Sequence, residues 1–384
     1  MMALDPQEAT RLAASIGQIY ADSELYLLQL IADRISKGLD APDWAERQLA
    51  EVRALQNDVR RHVENLDRVA IQEIRDTLNL AWNRGAEHAE AEVAALRAQP
   101  VTFSAAGAID THAVAALASQ TAMTAAEVAI FSQTVESVRG VQSQILRSAP
   151  DAYREVIGNV SGRVIVGVQT RQQMAQEALN SLARKGITGF TDRAGRNWQA
   201  SSYVEMALRT STHRALFEGH ADRLQSAGYD LVRISSHPNP SPQCQPFEGK
   251  ILSLSGKQSG TVFEDSALDG SQVKANVYMS LDQAKARGFE HPNCKHTHSL
   301  WVPGATAPKV APYDPQGYED SQEQRRLERG VRAAKQRQAV AITDAEKAKA
   351  QQRVKDWQDR AKTHATETGI PRRLDRERVK VGKP

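Results

Sequence analysis

The sequence predicts a mainly α fold: a long helical stalk, a small α+β domain and a charged C-terminal helix. Three observations carry this. Aromatic residues are only 5% of the 384-residue chain while charged residues reach 25%, a balance that favours long helices over a large dense core. From Trp44 to Leu96 there is no proline, and apolar residues recur every three or four positions. After Lys185 the texture changes to turn formers and short β-branched runs.

Taken in order, residues 7–37 read as an amphipathic helix with Leu12, Ile16, Ile19, Leu27, Leu30 and Ile31 on one face. The stretch Gly38–Pro42 stops it, and Asp43 is placed to cap the next helix. That helix carries Leu49, Val52, Leu55, Val59, Val63, Leu66, Ala70, Ile74, Leu78 and Trp82 as a seam for other helices, in the manner of a coiled coil. At 1.5 Å per residue it spans roughly 80 Å. Residues 100–110 form a linker. Helical patterns resume over 111–148 and 151–185, with Pro150 expected to separate them.

Ser201–Ser226 reads as a helix closed by Gly228. Tyr229–Ser235 and Lys250–Leu254 are strand candidates, followed by Gly/Ser-rich loops. Beyond Pro315 one charged helix is expected to about Ala365, then a basic tail. The domains follow: 1–110 a helical stalk, 111–185 a helical region, 186–305 the α+β domain, 306–384 the charged helix and tail.

The net charge of +3 hides a gradient. Residues 1–98 hold 11 Lys and Arg against 17 Asp and Glu, whereas residues 323–384 hold 18 against 9. A basic tail bearing Arg372, Arg373, Arg376, Arg378, Lys380 and Lys383 is the ordinary means of touching a phosphate backbone, so DNA is a candidate partner. The competing expectation is a solvated charged helix. Asp5 and Glu8 interrupt any secretory pattern, and no run reaches the ~18–20 apolar residues of a membrane span. A soluble protein made in a reducing cytoplasm is therefore expected.

Reactive side chains concentrate in two short segments, His237 to Cys244 and His291 to His298. Tetrahedral zinc wants four thiolate or imidazole donors, usually presented as two short-spaced pairs on loops. His237 with Cys244, and Cys294 with His296, form such pairs, with His291 and His298 in reserve. A structural zinc ion is the expected cofactor. The same cluster raises the alternative of a metal-dependent nuclease or other hydrolase, for which Glu248 is the nearest carboxylate base, ahead of Glu264 and Asp265. No His-Glu-x-x-His, phosphate-binding loop, dinucleotide fingerprint or Gly-x-Ser-x-Gly motif is present, so no catalytic residue is assigned and a non-enzyme is expected. Glu205, Arg209 and His213 read as an ordinary salt-bridged helix face.

Lys185-Gly-Ile-Thr-Gly-Phe-Thr-Asp-Arg-Ala-Gly-Arg-Asn-Trp198 opens a series of ordered blocks. It continues through Ser202 to Met206, Gly228 to His237, Cys244 to Lys250 and His291 to His296. Together these blocks resemble the phage minor capsid protein 2 family, which is similar to the Mu-type F head-morphogenesis proteins. The resemblance covers about 185–305. It implies a virion component acting in head assembly, near the portal and packaged DNA, with the portal or major capsid protein as partner. The expected location is the phage head, reached from the host cytoplasm, and no membrane. Relatives often carry Cys-x-x-Cys before the Gly-Lys turn. Here Ser241 stands at the first of those cysteines, which is why His237 is assigned as a ligand.

Overall fold

The computed structural model describes residues 5, 7–98, 124–164, 170–187, 190–191 and 197–378. The fold is mainly α, with one small sheet region. The N-terminal pattern gives helices Glu8–Leu12 and Ala14–Ser36, and the seam gives Trp44–Ala50 and the 46-residue Val52–Arg97. Asp43 does not cap its helix. Its carboxylate instead accepts from Arg47 Nε at 2.6 Å, one turn later.

Pro150 does not break the chain either. Helix Ala125–Val164 runs through it, while residues 111–123 lie outside the described residues. A mid-helix proline costs about 3 kcal/mol. Ala149, Tyr153, Val156, Ile157 and Val160 are all buried around it, and each large apolar side chain so buried contributes ~1.5–3 kcal/mol, enough to hold the helix together. Helix Arg171–Lys185 begins with a reciprocal capping box between Thr170 and Gln173.

The predicted single C-terminal helix is two, Pro315–Ala339 and Asp344–Thr368, followed by the short Leu374–Glu377. The break has a local cause. Thr343 is extended and its side chain accepts from Glu346 N–H, starting a new helix, and Gly369 at φ 72° closes it.

Strands β1 (Phe190–Thr191) and β2 (Asn197–Trp198) pair antiparallel. Helix Ala200–Ser226 follows. As expected, Gly228 ends it at φ 87°, with Gly228 N–H bonded to Gln225 C=O and Tyr229 N–H to Leu224 C=O. Next come β3 (Leu231–Ile234), β4 (Ile251–Ser253), β5 (Gly260–Asp265), β6 (Gln272–Ser280) and β7 (His298–Leu300). They form one sheet of order β5-β6-β4-β3-β7, antiparallel except for β4 and β6. β5, β6 and β7 correct the expectation of loops after residue 254. β6 alternates buried Ala275, Val277 and Met279 with exposed polar residues, a period-two pattern.

The chain divides into two compact units rather than the four consecutive domains drawn from the sequence. Neighbours in space here come from distant segments. The first unit comprises Met1–Ala13, Ile74–Thr134 and Met206–Tyr318 and contains the sheet. One sheet face packs Val232, Ile234, Leu252 and Leu300 against Phe217, Ala221 and Leu224 and against Ala89, Val93 and Leu96. Leu231, Ile251, Ala275, Val277 and Trp301 form a smaller cluster on the other face. The two helices meet backbone to backbone. A Cβ on Gly85 would lie 2.0 Å from the Leu216 carbonyl oxygen, and one on Gly219 would lie 2.3 Å from that of Trp82. This approach brings buried His220 Nε2 within 3.2 Å of Glu92 Oε2, which also accepts from Leu300 N–H at 2.7 Å.

The second unit comprises Ala14–Glu73, Val135–Glu205 and Glu319–Pro384. Its core is helical, and several of its buried polar groups are paired. Gln142 donates to Tyr20 Oη at 2.8 Å, Trp44 Nε1 to Ile35 C=O at 3.2 Å, and Ser201 Oγ to Glu24 at 2.6 Å. Among the described residues, no helix is long and apolar enough to cross a membrane.

Candidate metal centre

The excursion between β3 and β4 carries the first reactive segment. Cys244 N–H and Gln245 N–H both bond to Ser241 C=O, and a 3-10 turn at Gln245–Phe247 carries Pro246 as its second residue. Gly249, at φ 69°, then reverses the chain so that its N–H reaches Ile234 C=O. The second segment turns through Glu290 and Asn293, both at positive φ, with Cys294 N–H bonded to His291 C=O. Asn tolerates this conformation through its short polar side chain. The two segments are laced together by Ser235 N–H to Thr297 C=O at 2.8 Å and Thr297 N–H to Ser235 Oγ at 2.9 Å.

Cys244, Cys294 and His296 converge, with ligand atoms within 4.8 Å of one another. Cys244 Sγ and Cys294 Sγ are 3.6 Å apart, both free thiols, and His296 Nδ1 lies 3.5 Å from Cys294 Sγ. His296 N–H also points at Cys294 Sγ at 3.4 Å. Cys244 and His296 are almost fully buried.

The imidazole partners fix which nitrogen faces the sulfurs. His296 Nε2 is 2.8 Å from Glu248 Oε1, so it carries the proton and Nδ1 presents its lone pair to the thiols. His291 Nδ1 lies 2.9 Å from Pro292 C=O and so carries the proton there. Its Nε2 lone pair takes a 2.6 Å bond from Ser241 Oγ. His291 also hydrogen-bonds the Cys244 side chain. His237 belongs elsewhere. Its ligand atom groups with Glu248 and His296, its ring lies tilted against that of His296 at 4.5 Å, and burial pushes its pKa down to about 4. Of the two imidazoles near Cys244, His237 thus falls in a second group with Glu248 and His296, and His291 is the one that bonds the Cys244 side chain. His298 lies instead in the apolar core against Phe217 and His220.

Two thiols this close cannot lose their protons independently. Cys244 is held far below an ordinary thiol by the Cys294 S–H, His291 and His296, while the resulting charge holds Cys294 well above it. A divalent cation would relieve that conflict by taking both as thiolates.

The donor set fits zinc. Tetrahedral zinc with Zn–S bonds of about 2.3 Å has sulfurs about 3.8 Å apart, close to the 3.6 Å seen. Glu248 occupies the outer position typical of a ligating histidine's carboxylate partner. Its Oε1 accepts from His237 N–H at 3.0 Å and from His296, and its Oε2 from Ser236 Oγ at 3.1 Å. The residues read from sequence as a salt-bridged helix face serve the same region and beyond. Arg209 donates to Asn293 Oδ1 at 2.5 Å, His213 Nε2 meets His296 C=O at 2.8 Å, and Glu205 accepts from Arg332 at 3.2 Å. The Glu92–His220 pair escaped sequence reasoning because 128 residues separate its members.

The basic tail is less free than its composition suggests. Arg372 is clamped on Glu377, Arg373 on Asp375 at 3.0 Å, and Arg376 lies 3.5 Å from Glu328. Lys335 donates to Glu377 C=O at 2.7 Å. Arg378 is exposed, and Lys380 and Lys383 lie outside the described residues.

The phage minor capsid protein 2 family matches residues 4–366, nearly the whole chain. The chain belongs to that family. A structural protein of Lactococcus phage LL-H is 25% identical over 194 residues, which cover 49% of this chain and 50% of the relative. The chain thus spans about half the length of the curated relative it matches. No solved structure matches. The match to this minor capsid family extends well beyond residues 185–305 and takes in the helical regions on both sides.

Proposed function

We propose that the chain is a minor structural protein of a phage head, acting in head assembly beside the portal or major capsid protein and the packaged DNA. The observation that carries this reading is the family match over residues 4–366. Within it, Cys244, Cys294, His296 and His291 hold one structural zinc ion that pins the β3–β4 excursion to the segment before β7. Burial of Cys244 and His296 and use of both Glu248 oxygens favour a closed, non-catalytic site. The helices dock on neighbouring virion subunits, and residues 372–383 face DNA with part of their charge already neutralised.

A phage lacking this gene should yield no infectious particles, and the chain should co-purify with wild-type heads and portal. Normal infectious heads from the deletion phage would sink the reading.

The second reading, a metal-dependent nuclease or other hydrolase, draws on Glu248 lying beside His237 and His296. It requires zinc-loaded protein to cleave DNA and His296→Ala to abolish cleavage. Zinc-loaded protein without cleavage dismisses it.

A further inference from the structure

We propose that Arg184, Arg337 and Arg353 form a phosphate-binding site that holds the backbone of a nucleic-acid strand. All three line one concavity of about 610 Å³ in the helical unit. They come from three helices: Arg184 from the last turn of Arg171–Lys185, Arg337 from the last turn of Pro315–Ala339, and Arg353 from within Asp344–Thr368.

The charges in this concavity do not cancel. Lys185 is paired with Glu155 at 2.9 Å, which leaves Glu177 as the remaining acid of the lining against three guanidiniums. Among the described residues none of the three arginines is in a salt bridge, and Arg337 Nε is buried with no hydrogen-bond partner. Burial holds the Arg337 guanidinium below its usual value, and Arg184 and Arg353 push it the same way, with no carboxylate opposing them. A basic residue in a helix's last turn complements the helix dipole, which accounts for Arg184 and Arg337 singly. It does not account for Arg353, in mid-helix, facing the same space.

The chemistry selects phosphate. Each guanidinium offers a planar fork of five N–H donors, and forks pair bidentately with oxyanions. Three forks around one concavity present more donors than the two oxygens of a carboxylate can use, whereas a phosphodiester adds ester and sugar oxygens that Asn180 and Ser181 can reach from the same lining. The site is independent of the tail arginines, and binding in solution does not depend on the role in the head.

The test uses full-length protein and a labelled single-stranded oligonucleotide of mixed sequence, measured by anisotropy across a salt series. Three phosphate contacts contribute a slope of about −2 to log K against log salt at roughly 0.7 per contact. Arg184→Gln with Arg353→Gln, away from the most buried guanidinium, should weaken binding at least tenfold and remove most of that slope, with helicity unchanged by circular dichroism. Glu177→Gln should tighten binding, a gain that a merely destabilised protein does not give. Arg47→Gln, at an exposed arginine already paired with Asp43, should change binding less than twofold. Displacement of the oligonucleotide by inorganic pyrophosphate supports a phosphate site. Equal displacement by polyglutamate assigns the concavity to acidic peptide and overturns the proposal. Pyrophosphate binding without oligonucleotide binding overturns the nucleic-acid source. Unchanged binding in the double arginine variant overturns the site itself.

Discussion

The β3–β4 excursion and the Arg372–Glu377 segment are both dense in polar side chains, yet they are finished differently. At the C-terminal segment each of three arginines meets a carboxylate from the chain itself. Around Cys244 and Cys294 two thiols 3.6 Å apart lie against the His296 imidazole, all of them groups that ligate metals. The first arrangement is complete as folded. The second, on the zinc reading proposed above, is completed by a cation, and that difference separates a cluster that holds a structure together from one suited to take a ligand.

The largest expected effect tests the incomplete cluster. Purified protein should contain one zinc per chain by elemental analysis, and Cys294→Ser should lose it. Structural zinc contributes on the order of 10 kcal/mol or more in small domains. In this larger core we expect a fraction of that, several kcal/mol, seen as a lower melting temperature in the variant and on adding a chelator to the native protein. Metal-free native protein with the same melting temperature would erase the contrast.

Next comes the complete cluster. Glu328→Ala removes a buried acceptor of Arg373 N–H and the partner of Arg376, and should cost about 2–3 kcal/mol in urea unfolding, independent of chelator. Chelator sensitivity of this variant's loss would mean the two clusters are not separate devices.

Glu24 is an intermediate case: one oxygen accepts from Ser201 and the other, buried, has no partner. Burial raises its pKa above the usual 4.5. The fold therefore binds this proton more tightly than the unfolded chain does. Its contribution is fully present below about pH 4.5 and is lost as pH rises through the folded value. Glu24→Gln should flatten the decline of stability toward alkaline pH and leave acid stability unchanged. An unaltered pH profile in this variant would show that Glu24 is charged in the fold. The smallest effect is at the rim of the complete cluster. Asp375→Asn breaks a half-exposed pair and should cost under ~1 kcal/mol.

Much of the fold was legible because local chemistry and final structure agree: the seam from Leu55 to Trp82, the Gly228 stop, and the β-branched runs of β3 and β4. The misses have local causes of their own. β5 and β6 begin and end in Gly, Ser, Asp and Gln, whose turn signal masked the alternation of Ala275, Val277 and Met279. Pro150 is carried by packing that no local window contains. At the site, the two cysteines and His296 were legible from density alone. That His291 bonds the Cys244 side chain while His237 groups with Glu248 was not, because it depends on how Pro292, Ser241 and Glu248 set the two residues in space.

One feature of the first unit constrains sequence change more tightly than either cluster. Gly85 and Gly219 sit where backbone touches backbone, so each position has an alphabet of one letter. Sliding either helix by a residue would press Arg84, Ala86, Glu218 or His220 into the space only a hydrogen fills. The pair thus acts as an alignment check. Only in the register where both glycines mesh does Glu92, two turns further along, arrive opposite His220 and the Leu300 amide.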